Sequence, residues 1–363
     1  MKLDGINING LKNEERAALA LKSLYRSYGY GEYKLTGFED YSLYEENRSF
    51  LDGRGVLSFG AGGRMLALRP DVTLSVVKNV NADDGATKLF YDERVYRKAA
   101  GGGDFSELRQ IGVEVIGDID GITESEVCEL ALKTLDSVSD GYILDVSHAG
   151  IIEKLLNGAG LSGASRAFAL QCLQSKNAHD FARAMTEQGV CNEFADAFKK
   201  IIELPAEPNG ALAALEKFSD AVGIGTELEE LSRIAATDPA HIEIDFSIGG
   251  DADYYSGAVF KGFTRGVPYA TLSGGRYDGL LKKFGKNSSA VGFALYLGEL
   301  CECFADTPDR PDAVVVYNDT TAPDAVKKAT ELRARGLSVL LTKVGKFYGE
   351  GVKVYGAEGK YDA

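Results

Sequence analysis

Apolar residues recur at helical spacing from Asn13 to Tyr28, where Ala17, Leu19, Leu21 and Leu24 sit among charged residues and the run stops at Gly29-Tyr30-Gly31. The pattern predicts an amphipathic helix with a glycine stop. Tyr33 to Tyr41 then reads as extended. Val56-Leu-Ser-Phe59, the turn Gly60-Ala-Gly-Gly63 and Met65-Leu-Ala-Leu68 read as a hairpin. Asp71 and Thr73 open the next helix, where Asp71 suits an N-cap, a role that could by itself account for the residue.

Two longer segments alternate more strictly. Lys88 to Tyr96 and Leu108 to Ile116 predict antiparallel strands joined by a loop containing Gly101-Gly-Gly-Asp-Phe105. Period two in the second strand places Gln110, Gly112 and Glu114 on one face and Ile111, Val113 and Val115 on the other. A solvated face would explain the polar set. The intervening glycine, which leaves open space, and the apolar reverse side favour the floor of a ligand site.

Further along, Glu124 to Ser137 predicts a helix and Gly141 to Ser147 a buried strand. From Ala149 to about Ile234 the spacing turns helical throughout, as an insertion between strands. Strands resume at His241 to Phe246, Tyr254 to Gly262 and Tyr269 to Leu272. The loop Ser273-Gly-Gly-Arg-Tyr-Asp-Gly279 and a strand-to-helix segment over Ala290 to Leu300 follow. Thr307 to Pro311 reads as a linker. Ala313 to Tyr317, Pro323 to Arg335 and Leu337 to Leu341 form a β-α-β unit of about 30 residues, with one more strand at Val352 to Tyr355. The expected domains are 1–305, with the helical insertion at about 149–235, and a small α/β unit at 312–363.

A chain of 363 residues is long for one core, and 45% hydrophobic residues make it globular. Fifty-four acidic against 40 basic side chains leave a net charge of −14, which disfavours binding a nucleic acid. The five cysteines (Cys128, Cys172, Cys191, Cys301, Cys303) lack a zinc-type pairing and suit reduced thiols in a cytoplasm. The three histidines (His148, His179, His241) are far apart in sequence and read as structural, so no metal site is expected. No window approaches the ~20 apolar residues of a membrane span, and Met1-Lys-Leu-Asp-Gly does not open a signal segment. The chemistry concentrates instead in Leu68-Arg69-Pro70-Asp71-Val72-Thr73 and in Arg97 to Gly117, where carboxylates, an amide, a hydroxyl and arginines stand on otherwise apolar segments. Such a mixture holds a small amphoteric ligand.

Four motifs, in order, carry a resemblance: Gly-Arg-Met-Leu-Ala-Leu-Arg-Pro-Asp-Val-Thr (63 to 73), Arg97 with Gln-Ile-Gly-Val-Glu-Val-Ile-Gly (110 to 117), Asp-Tyr-Tyr-Ser-Gly-Ala-Val-Phe (253 to 260) and Gly-Gly-Arg-Tyr-Asp-Gly-Leu (274 to 280). The chain resembles the histidyl-tRNA synthetase family of class II synthetases over residues 1 to about 300. The resemblance implies an α+β fold, an antiparallel sheet of six or seven strands flanked by helices, in a dimer. It also implies a pocket for free histidine: Asp71, Thr73 and Gln110 on the α-amino group, Arg97 near the carboxylate, and Glu114 with Tyr255 on the imidazole, Tyr254 alongside.

The family's ATP arginines do not carry over. They fall on Gly250, Glu299, Asp104 and Ser106, and the motif 1 proline on Gly37. A carboxylate ~4 Å from a phosphate charge is repelled by about 4 kcal/mol at an effective dielectric of ~20. Only a truncated piece follows residue 300 in place of the larger anticodon-binding domain. With its amino-acid pocket kept and its nucleotide side lost, the chain resembles the regulatory subunits of ATP phosphoribosyltransferase. That resemblance implies a non-catalytic subunit that needs no cofactor, pairs with a short catalytic subunit in the first step of histidine biosynthesis, and binds L-histidine for feedback inhibition. It also implies a homodimer within a hetero-oligomer, in the cytoplasm, with no membrane or nucleic-acid partner. The alternatives are a divergent histidyl-tRNA synthetase or histidine-activating enzyme, and a stand-alone histidine sensor.

Overall fold

The computed structural model describes residues 11–51, 55–80, 85–98, 104–190, 192–250, 254–302, 311–343, 351–356 and 359–360. The chain divides into two compact units, one of residues 17–303 and one joining residues 1–16 with 304–363.

The larger unit contains strands β1 (Gly31–Glu32), β2 (Phe38–Asp40), β3 (Ser58–Ala61), β4 (Arg64–Leu68), β5 (Thr87–Lys98), β6 (Phe105–Gly117), β7 (Tyr142–His148), β8 (Ile242–Ile244), β9 (Ala258–Thr264), β10 (Leu272–Arg276) and β11 (Ser289–Leu295). Eight of them form one sheet in the order β1-β5-β6-β11-β10-β9-β7-β8. The six central strands are antiparallel, and β1 and β8 pair parallel at the two edges. This is the expected antiparallel sheet, lengthened by a short parallel strand at either side. The second sheet is the hairpin β3-β4 with β2 added, in the order β2-β4-β3.

The helices of this unit are α1 (Asn13–Ser27), which belongs to it from Ala17 on, α2 (Tyr41–Glu46), α3 (Val72–Asn79), α4 (Gly121–Asp136), α5 (Ala149–Gly158), α6 (Gly163–Gln174), α7 (Ala178–Glu187), α8 (Glu193–Ile202), α9 (Pro208–Val222), α10 (Gly225–Ala235), α11 (Asp278–Lys283) and α12 (Leu297–Glu302). The run α5 to α10 is the helical insertion, placed between the neighbouring strands β7 and β8. Ile111, Val113 and Val115 of β6 share one buried cluster with Leu21 and Tyr25 of α1 and with Val127, Leu130 and Ala131 of α4. That alternation fixes the register of β6, since a slip by one residue would turn these side chains away from the helices. The reverse side of β6 is equally closed, Gln110 and Glu114 being buried, so it is not a solvated face.

Residues 273–276 are strand rather than loop, because Ser273, Gly274, Gly275 and Arg276 complete the ladder between β9 and β11. Their glycines and polar residues hid a strand that is packed on both sides. The extended stretch expected at 33–41 forms a strand only at β2. Helix α3 is held at both ends: the Asp71 carboxylate accepts the Leu74 amide at 2.9 Å, and the Lys286 ammonium donates to the carbonyls of Val77 and Val80, the latter at 2.7 Å.

In the smaller unit, β12 (Ala313–Val316), α13 (Ala322–Ala334) and β13 (Val339–Thr342) make the expected β-α-β unit, with β12 and β13 parallel. Strands β14 (Lys353–Gly356) and β15 (Gly359–Lys360) extend it to the order β13-β12-β14-β15. Ala313, Val315, Ala325, Ala329 and Leu332 form its core. The expected linker at 307–311 lies mainly outside the described residues, as does most of the expected loop at 101–105. No helix among the described residues is long and apolar enough to cross a membrane.

Candidate functional site

The segment 68–73 is pinned to the edge of β5 by a buried arginine. Arg69, 1% exposed, donates to the Thr36 carbonyl at 2.5 Å, to Glu93 Oε2 at 2.9 Å and to the Arg94 carbonyl at 3.0 Å. A guanidinium taken out of water is tolerated only with such partners. The anchor sets where Asp71 and Thr73 emerge, two and four residues later.

From there Thr73 reaches across to the sheet. Its hydroxyl donates to Glu114 Oε1 at 2.9 Å, while the Tyr277 hydroxyl donates to Glu114 Oε2. Glu114 is 1% exposed. Burial pushes its carboxyl up to about 8; the hydrogen bonds from Tyr277 and Thr73 hold it down, and the nearby Asp71 charge raises it further. Among the described residues, no lysine or arginine bonds to Glu114 or Asp71. The result is an acidic, hydroxyl-lined cluster with no lysine or arginine bonded to it among the described residues, which suits a cationic ligand.

Aromatic rings close it. Tyr254 meets Tyr255 edge-on at 4.7 Å, Phe50 at 5.6 Å and Tyr277 at 5.9 Å between centroids. Burial raises the hydroxyls of Tyr91, Tyr254 and Tyr277 well above the ordinary phenol value, so all three stay protonated donors at any physiological pH. Two glycines shape the floor. A side chain at Gly292, opposite Glu114 on β11, would put its Cβ 1.9 Å from Glu114 Oε2. At Gly112 a Cβ would lie 2.1 Å from the Phe293 carbonyl and 2.6 Å from the Tyr91 hydroxyl. Gly112 therefore does not leave open space as expected: Tyr91 fills the room that the missing side chain vacates.

Of the seven sequence-predicted residues, the structure brings Asp71, Thr73, Glu114, Tyr254 and Tyr255 around one point. Thr73 stands with Glu114, so the groups expected at opposite ends of a histidine meet in one place. Gln110, 4% exposed, lies on the same face of β6 but four residues along it, about 13 Å of extended chain, opposite Glu93. Arg97 is not in the cluster. It stands eight residues along β5 from Leu89, the position facing Glu114, on the order of 25 Å of extended chain. Its guanidinium lies over the Tyr296 ring at 5.3 Å, a cation–π contact. Sequence reasoning missed Tyr277, Tyr91 and Phe50. Tyr277 lay inside a quoted motif, and reading that motif as a strand would have shown that Tyr277 shares the face of Gly275.

The positions of the missing arginines are Gly250, at the end of a short 3-10 turn over Phe246–Gly250; Asp104 and Ser106, both exposed at the start of β6; and Glu299 on α12. Among the described residues, no group of three or more His, Cys, Asp or Glu side chains is arranged to hold a metal ion. His148 pairs with Glu230 at 2.9 Å, and His241 pairs with Asp238 at 2.8 Å while stacking on Tyr142.

An antiparallel sheet carrying the pocket on one face and helices on the other defines a class II synthetase-like domain, and residues 8–300 match the model of the histidyl-tRNA synthetase family. Relatives named ATP phosphoribosyltransferase regulatory subunit occur in Moorella thermoacetica, 30% identical over 92% of this chain and 90% of the relative, and in Caldanaerobacter subterraneus, 30% identical over 87% and 86%. The fold is also that of a solved ATP phosphoribosyltransferase regulatory subunit/histidyl-tRNA synthetase from Bacillus halodurans, with a TM-score of 0.76, 21% identity, and 94% of this chain and 93% of that one covered. A chain of the ATP phosphoribosyl transferase complex from Thermotoga maritima aligns at a TM-score of 0.61 and 18% identity, over 78% and 97%. The chain belongs to the family of ATP phosphoribosyltransferase regulatory subunits.

Proposed function

We propose that this chain binds free L-histidine in the Glu114 pocket and acts, without chemistry of its own, as the subunit that activates and restrains a short ATP phosphoribosyltransferase catalytic subunit. The observation that carries the ligand reading is the acidic cluster of Asp71 and Glu114, to which no lysine or arginine among the described residues bonds. Asp71 offers the carboxylate oxygen left over from its cap to an ammonium, Gln110 lies beyond it, and Glu114 with Tyr255 takes the imidazole. Arg97, outside the cluster, is left without a part in holding the ligand, and Tyr254 serves as a wall.

Family membership supports the partner, a short catalytic subunit that condenses ATP with phosphoribosyl pyrophosphate. The absence of arginines at 104, 106, 250 and 299 supports a non-catalytic role, because an ATP triphosphate would meet Asp104 and Glu299 in their place. Histidine then inhibits by preferring one state of the complex, to the extent of its differential affinity. The working unit in this reading is a homodimer within a hetero-oligomer in the cytoplasm, built from the synthetase-like domain 1–305 and the small C-terminal α/β unit 312–363.

Titration calorimetry with histidine, with and without the catalytic subunit, tests the ligand, and turnover of the catalytic subunit on mixing tests the partner. Binding and a gain in turnover are expected. Histidine-dependent pyrophosphate exchange with ATP by this chain alone would establish the synthetase alternative instead. Histidine binding with no change in any phosphoribosyltransferase would leave a stand-alone sensor.

A further inference from the structure

Consecutive residues at the end of β10 point to opposite faces of the sheet. Gly275 lies under the Tyr255 ring, and Tyr277 reaches Glu114 on the pocket side. Gly274 packs on Phe260 and Phe293, and Arg276 reaches the helix layer behind the sheet. There the Arg276 guanidinium divides itself among three segments: Glu124 Oε1 of α4 at 2.7 Å, Asp278 Oδ2 of α11 at 2.9 Å and Ser289 Oγ of β11 at 3.1 Å.

Glu124 is 2% exposed in the first turn of α4, and its second oxygen has no partner among the described residues. An acid buried that deeply costs stability unless its charge is met, and Arg276 meets it. The backbone continues the clamp. The Arg276 carbonyl accepts the Ser256 amide at 2.8 Å, next to Tyr255, and the Tyr277 amide donates to the Ala290 carbonyl at 2.8 Å. Ala290 in turn donates its amide to Asp278 Oδ1 at 3.1 Å.

We propose that Arg276 is a positioning residue for the histidine pocket: with Glu124 it fixes the end of β10, and so holds the Tyr277 hydroxyl on Glu114. A planar fork sets an angle as well as a charge, which a lysine ammonium does not. The proposal deepens the histidine reading and rests on the same pocket, but it is tested first without ligand.

The charged and titratable groups facing Glu114 are Asp71 at the start of α3, Tyr91 of β5, Tyr254, Tyr277 and Tyr30. Of these, Tyr277 bonds to it directly, so loss of that bond raises the pH at which Glu114 ionises. Carboxyl 13C NMR of the full chain, with the Glu114 signal assigned by its absence in Glu114→Gln, follows this titration directly. Tyr277→Phe is expected to move the midpoint upward by about one pH unit. Arg276→Lys and Glu124→Gln are expected to move it the same way by part of that, and Arg276→Lys added to Tyr277→Phe to move it no further.

Calorimetry then expects histidine affinity to fall several-fold in Arg276→Lys, with the same lack of additivity. If Arg276→Lys fails to fold, Glu124→Gln alone decides. Lower melting temperatures with an unmoved Glu114 midpoint, or shifts that add in the double variant, overturn the positioning role. Wild-type protein that binds no histidine would end the ligand reading and leave the titration result standing.

Discussion

Asp92 and Glu114 are buried carboxyls on neighbouring strands of one sheet, facing opposite sides of it. Asp92 points toward the helices, where Arg109 grips it with two bonds of 2.8 and 2.9 Å and Lys22 adds a third at 2.6 Å. Burial raises the Asp92 carboxyl, but the bonds from Arg109 and Lys22 more than offset it and bring it down to about 2. Glu114, held only by hydroxyls, is instead raised to about 8. A buried acid that already has its cation is a finished structural joint. One supplied only with hydroxyls has no bonded cation among the described residues, and the proposed ligand face rests on that difference.

The contrast breaks most visibly if Arg109 is removed. Arg109→Ala leaves Asp92 under-compensated and is expected to cost ~3 kcal/mol of stability in urea unfolding, with histidine affinity unchanged. Glu114→Gln should do the reverse. Calorimetry is expected to show histidine binding weakened by roughly 1–3 kcal/mol, with no loss of stability. The raised Glu114 contributes fully below its unfolded value of 4.5, and that contribution is lost as pH rises through about 8. The variant escapes this loss, so its melting temperature at pH 9 is expected to exceed that of the wild type.

Acid sharpens the other half of the comparison. The contribution of Asp92 is present above its unfolded value of 3.8 and disappears as pH falls toward about 2, a loss of ~2 kcal/mol that Asp92→Asn should not show. The smallest expected effect is none: millimolar ATP should leave the melting temperature of the isolated chain unmoved, and a clear rise would restore the nucleotide half of the site.

The strand faces were legible because alternation over Gln110 to Val115 is strict and each face has one kind of neighbour. The pocket was legible only in part. Asp71, Thr73 and Glu114 come from two segments whose motifs could be read locally. Their convergence depends on the Arg69 anchor and on a tertiary bond from Tyr277, 163 positions from Glu114 in sequence. Glycines at 274 and 275 imitate a loop, since their role is to let neighbouring strands and Tyr255 come close, and that role has no periodicity. Arg97 was legible as a conspicuous arginine in a motif, but its distance along β5 follows from the ladder register.

Helix α3 is capped by Asp71, carries Thr73 on its first turn and has Lys286 seated on the carbonyls at its other end. Eight residues make a rod of about 12 Å, and it is tied at both ends by charges that oppose its dipole. Such a rod has little freedom to slide along its axis when a ligand arrives. In kinetic terms the proposed histidine site is then a ready receptor: stopped-flow association is expected to show a single phase whose rate rises linearly with histidine concentration, and a hyperbolic rate would point to a rearrangement before filling.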